Sequence, residues 1–194
     1  GISYCANRSD VKVLSMSLGG PYSEVEDYII DYAVNTKGKL LVAAAGNDDT
    51  DDETYAYPAA LSEYYPGKIL SVAASGSWEY VDEDEDGNWD YYILGDYGCK
   101  AEYSNYGDWV NVIAPGTDIY STLPYDKPFY MNYFEGYPTR YEYLSGTSMA
   151  APFVAAAAAR RCWAFPLPLC AVIRHHGQPC ATTVWSTAPA ASGT

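Results

Sequence analysis

The stretch that most constrains the fold is an apolar run, an amphipathic segment and a second apolar run. VKVLSMSLGG (11–20) is short, apolar and closed by two glycines, which reads as a strand buried on both faces. PYSEVEDYIIDYAVNTKGK follows. Ser23 and Glu26 have capping-box spacing, Val25, Ile29, Tyr32 and Ala33 share one helical face, and Gly38 is a stop. LLVAAAGN (40–47) is a second buried strand. Strand, helix and strand at these lengths give a βαβ unit, whose right-handed crossover makes the strands parallel. KILSVAAS (68–75) and WVNVIAPG (109–116) read as two further strands, and a helix is expected over Thr147–Arg160 with Pro152 in its first turn. The fold class is therefore α/β, a parallel sheet flanked by helices.

Charge divides the chain. All 25 acidic residues and 8 of the 11 basic ones precede residue 153, as do all 21 tyrosines, within a formal net charge of −14. An acidic body excludes nucleic acid as a natural partner, because phosphate recognition needs the opposite sign. No apolar run reaches the roughly 18–20 residues of a membrane span. This composition suits an extracellular protein. After residue 160 the character changes. Acids and tyrosines vanish, prolines interrupt at 166, 168, 179 and 189, and no helical or strand period is visible. Residues 1–160 are expected to be domain, and 161–194 an atypical tail, either low-complexity or translated out of frame. Cys5 and Cys99 are the cysteines of the body, and nothing in their spacing requires them to pair.

Residues 76–107 look inserted. They read either as a β-hairpin with an acidic turn or as a calcium loop. Asp82, Asp84 and Asp86 before Gly87 match a D-x-D-x-D-G opening, and Asn88 and Asp90 could add oxygens. The twelfth position is Ile93 rather than the bidentate Glu of an EF-hand. Calcium is thus an expectation as a structural ion only, and no cofactor is required. The acidic run DDTDDE (48–53) reads as a solvated loop, with attraction of a basic side chain or an ion as the alternative.

Chemistry concentrates in SGTSMAAP (145–152). Gly146 permits a tight turn, the following helix aims its free N–H groups and positive end at Ser148, and Ala150 and Ala151 leave room. Ser148 is placed as a nucleophile would be, although a G-T-S alone more often caps a helix. Asn47, taken alone, is a turn residue after a strand.

Seven segments change the weight of these readings. SMSLGG (15–20), AAAGND (43–48), YPAA (57–60), SVAAS (71–75), YSNYG (103–107), VIAPGTDIYST (112–122) and GTSMAAP (146–152) resemble, in this order, segments of the subtilisin-like serine proteases. The resemblance covers about residues 1–160 and implies the three-layer α/β fold of that family. It implies Ser148 as the nucleophile that attacks a peptide carbonyl. Asn47, with the Ser148 N–H, would be the oxyanion donor. Ser17, Leu18 and Gly19 would form an edge that pairs with the substrate backbone, and Ala44, Ala45 and Gly46 would complete the wall of a broad pocket suited to large apolar side chains. A peptide or protein is the implied partner.

The same resemblance implies an Asp and a His ahead of SLGG, in D-[ST]-G and H-G-T-H-like segments, and neither occurs. His175 and His176, the two histidines, match no family position. The chain is therefore expected to start midway through the catalytic domain, incomplete on the N-terminal side and inactive alone. The alternative is a subtilase-like module that lost its base and binds peptides or calcium.

Overall fold

The structure, a computed structural model, describes residues 1–81, 90–94, 99–122 and 141–164. A short helix α1 (Ile2–Asn7) precedes strand β1 (Val13–Met16), helix α2 (Glu24–Asp31), β2 (Leu40–Ala44) and β3 (Ile69–Ser75). Then come β4 (Ser77–Val81), β5 (Asp90–Leu94), β6 (Val112–Pro115), β7 (Ile119–Thr122), β8 (Tyr141–Leu144) and the long helix α3 (Thr147–Ala164). Strands β1, β2, β3 and β6 form one parallel sheet in that order. The four apolar runs of the sequence are its four strands.

Alternation along β2 sorts the core into two layers. Leu41, Ala43 and Ala45 face one side, where they meet Ile30, Ala33 and Val34 from the α2 region. Val42 and Ala44 face the other, against Ala150, Ala151 and Ala155 of α3. All of these are buried. Helix, sheet and helix make the three-layer arrangement expected from the sequence. A strand covered on both faces has no polar side to show, which is why these runs lack period-2 alternation.

The second helix departs from expectation in its phase. Ser23 does cap it, accepting from the Glu26 N–H at 3.4 Å. However, Val25 is 77% exposed, and the buried face is Ile30, Ala33 and Val34. After Asp31 the chain widens into a π-helical turn, Tyr32–Thr36. That turn rotates the later residues relative to a uniform 3.6 period. Pro152 also sits differently. It is the sixth residue of α3, beyond the first turn, so its missing N–H removes a helical bond.

Strands β4 and β5 pair antiparallel, Ser77 opposite Leu94 through Val81 opposite Asp90, so the hairpin expected within 76–107 is present. The turn carrying Asp82, Asp84, Asp86 and Asn88 lies outside the described residues, as does 165–194 of the tail. Asp90 opens β5. Cys5 is a free thiol and does not pair with Cys99. Among the described residues no helix is long and apolar enough to cross a membrane.

A phenol cluster ties α2 to the loop after β2. Tyr22 and Tyr65 both donate to the Asp27 carboxylate, at 2.9 and 2.8 Å, and Tyr22 packs edge-on against Tyr57. Burial and the Asp27 bond raise the Tyr65 hydroxyl well above its ordinary value, and the Asp27 bond raises Tyr22. A folded pKa above the unfolded value of 10.0 means that the unfolded chain loses the proton first. The stabilisation is full below about pH 10 and is lost as pH climbs through the raised folded values. Thermal melts between pH 9 and pH 12 should therefore show an alkaline loss of stability, and Tyr65→Phe should flatten it. An unchanged alkaline limb in Tyr65→Phe would exclude Tyr65 as its source.

Candidate active site

Three chain segments meet at the C-terminal ends of the parallel strands: the end of β1, the end of β2 and the start of α3. In an open α/β sheet this is where ligands bind. Gly116, just after β6, allows the approach. Its N–H donates to Ser75 O at 3.0 Å, and its carbonyl accepts from Gly146 at 2.8 Å. A Cβ there would stand 2.6 Å from Ala74 Cβ and 2.9 Å from Gly146 O. Without a side chain at 116, the Gly146–Ser148 turn sits directly on the sheet ends.

Asn47 and Thr147 form the centre of the site. The Thr147 N–H donates to Asn47 Oδ1 at 2.8 Å, and the Thr147 hydroxyl donates to the same oxygen at 3.0 Å. The hydroxyl in turn accepts from the Gly46 N–H at 3.0 Å. Thr147 is fully buried, so this arrangement is protected from water. The two donors fix which way the carboxamide faces. Its oxygen is used, and its Nδ2–H groups are the part left to act. Nδ2 lies over Gly146, 3.5 Å from where a Cβ would be.

The start of α3 supplies the second donor. The first N–H groups of a helix have no intrahelical partner. Thr147 spends its own on Asn47, while Met149 and Ala150 reach back to Gly146 O at 3.0 and 3.3 Å. The Ser148 N–H lies between them, beside the half-buried Ser148 side chain. Asn47 and Ser148 thus line one pocket together.

The adjoining pocket is lined by Leu18, Gly19, Ala44, Ala45, Gly46, Asn47 and Ser148, which the sequence had grouped. Tyr55, Ala56 and Thr147 also line it, and the sequence reading had missed them. Ser17 does not line it. Its hydroxyl donates instead to Ser148 O at 2.7 Å. Pro152 explains that bond. It stands four residues after Ser148, where an ordinary helix residue would donate to Ser148 O, and it has no N–H. Ser17 supplies the missing donor across 131 positions of sequence.

That substitution of one donor for another is testable. Ser17→Ala should cost about 1 kcal/mol, the net worth of one hydrogen bond. In a Pro152→Ala background the new N–H can serve Ser148 O, so the same change should cost less than half as much. Chemical denaturation of the four proteins in a double-mutant cycle reads the difference. Equal costs in both backgrounds would show that Ser17 does not stand in for the helical bond.

The acidic run 48–53 is a tied-down loop. Asn105 Oδ1 accepts from the Asp48 and Thr50 N–H groups, Trp109 Nε1 donates to Asp51 O, and Lys100 pairs with Asp49 at 2.8 Å. Among the described residues no group of three acidic, Cys or His side chains is placed to hold a metal. No described residue is a histidine, since both histidines lie at 175 and 176.

Comparison with known proteins agrees with this fold. The subtilase family model matches residues 1–188. Thermitase of Thermoactinomyces vulgaris is 38% identical over 159 residues, covering 81% of this chain and 42% of that protein. The major intracellular serine protease of Bacillus subtilis (strain 168) is 34% identical over 164 residues, covering 82% and 39%. A crystal structure of a cold-adapted subtilisin-like serine proteinase superimposes with a TM-score of 0.55 at 27% identity, covering 82% of this chain and 44% of that one. The chain spans less than half the length of each of these proteins. With the family model matched from the first residue nearly to the last, and the parallel three-layer sheet in place, the chain belongs to the subtilase family.

Proposed function

We propose that this chain carries the nucleophile and the oxyanion site of a serine endopeptidase, and that the Asp and His of the triad come from sequence outside residues 1–194. Ser148 attacks the peptide carbonyl and forms the acyl-enzyme. The Ser148 N–H and Asn47 Nδ2 hold the oxyanion. Such donors act where charge develops, so they stabilise the transition state more than the substrate. The observation that carries the reading is the pair of hydrogen bonds from Thr147 to Asn47 Oδ1, because it leaves the amide nitrogen as the working end.

The pocket walls Gly19, Ala44, Ala45 and Ala56 are small and uncharged. They accept a large apolar side chain before the scissile bond. Leu18, 52% exposed at the rim, offers apolar contact to the extended substrate. The base is a separate matter. Without a histidine to take the serine proton, residues 1–164 alone give trace turnover at most, because the triad acts as a unit. The acidic body fits an extracellular setting.

The test is hydrolysis of an unfolded protein substrate by the chain expressed with the whole of its reading frame. Cleavage after large apolar residues supports the reading. That no histidine precedes Ser148 favours one other reading, a peptide- or calcium-binding module without catalysis. Saturable binding of the same substrate with no cleavage would establish that reading instead.

A further inference from the structure

We propose that Asn105 is a positioning residue for the Asn47 carboxamide, holding the peptide units on both sides of it. The inference rests on Asn47 as the oxyanion donor. Asn105 lies in the loop before β6 and is 2% exposed. Its Nδ2 donates to Ala45 O at 3.0 Å. Its Oδ1 accepts from the Asp48 N–H at 2.8 Å and from the Thr50 N–H at 3.4 Å. Its own N–H donates to Gly46 O at 3.0 Å. One residue therefore binds the carbonyls of the two residues before Asn47 and the N–H of the residue after it.

Gly46 shows how closely the loop is moulded to this amide. Its φ is +105°, and a Cβ on it would lie 2.4 Å from Asn105 Nδ2. Only a residue without a side chain fits there. The two devices divide the task. Thr147 sets the rotation of the Asn47 amide, and Asn105 sets the backbone from which it projects. A carboxamide suits the role because it donates from one end and accepts twice at the other. A carboxylate lacks the donor, and a leucine of similar shape would leave Ala45 O and the Asp48 and Thr50 N–H groups without their partner. Precise placement matters, since a displacement of about 1 Å at a reacting centre costs about 10²-fold in rate.

The test uses the chain expressed with its whole reading frame and a peptide substrate. Asn105→Leu should lower kcat by about 10- to 100-fold with KM within about two-fold, because the oxyanion contact exists only in the transition state. In an Asn47→Ala background the same change should have little further effect. A kcat loss of equal size in both backgrounds, or no loss at all, would overturn the proposal. Asn105→Ser is the second variant, should the leucine prevent folding. If the wild type hydrolyses nothing, the functional reading fails, and the positioning is read from the Asn47 side-chain amide signals in 15N NMR. A single sharp pair that splits or broadens in Asn105→Ser, with Val42 exchange unchanged, supports it. An unaltered pair contradicts it.

Discussion

Ser148→Ala should reduce peptide hydrolysis by about 2 × 10⁶-fold in kcat, the loss known for the serine of subtilisin itself. The measurement is turnover of a chromogenic peptide by the chain with its whole reading frame intact. On the proposed function the loss is large because the hydroxyl oxygen forms the bond to the peptide carbonyl, and nothing in the site replaces it. KM should stay within about two-fold, since the substitution removes one oxygen and leaves the walls Ala44, Ala45 and Ala56 in place. Residual catalysis would come from the Ser148 position's N–H and from Asn47, which remain. The helix should tolerate the change, because Thr147 and Asn47 make the local bonds at its start and the Ser148 hydroxyl does not. A Ser148→Ala protein with more than about one hundredth of wild-type turnover would place the nucleophile elsewhere.

The second large effect separates two duties of Asn47. Asn47→Ala should lower kcat by about 10²–10³-fold, the magnitude known for the oxyanion asparagine of subtilisin. It should also cost about 1–3 kcal/mol in stability, because the buried Thr147 N–H and hydroxyl lose their acceptor. Asn47→Asp keeps an acceptor for both Thr147 donors but has no N–H to give. It should hold its stability near wild type in urea titrations while losing at least as much turnover as Asn47→Ala, since its charge opposes the oxyanion. If Asn47→Asp retained turnover, the amide nitrogen would not be the working end.

Much of this was readable from the chain because the strands are buried on both faces. VLSM, LLVAA, ILSVAAS and VIAP each announce themselves as apolar runs bounded by polar or glycine-rich segments. The pocket residues Leu18, Gly19, Ala44, Ala45 and Gly46 were readable for a related reason, since they lie at or just past the ends of β1 and β2. What escaped depends on contacts between distant residues. Thr147 and Asn47 are 100 positions apart, and Asn105 and Ala45 are 60 apart. Nothing local marks a threonine beside a serine as the orienter of an amide. Asn105 stood within a recognised segment, YSNYG, but its role needs the shape of the 45–50 loop. One feature had a local signal that a stricter reading would find. A proline at the sixth helix position leaves the carbonyl four residues earlier without a donor, which points to a partner for Ser148 O. The exposure of Val25, on the first turn of α2 and ahead of the π turn, has no such local signal.

The most direct test of the central claim is to treat the folded protein, expressed with its whole reading frame, with a fluorophosphonate and map the adduct by peptide mass spectrometry. The account predicts one stable adduct on Ser148 in the GTSMAAP segment, lost when the protein is unfolded first. No adduct on a folded protein, or an adduct on another serine, would contradict it.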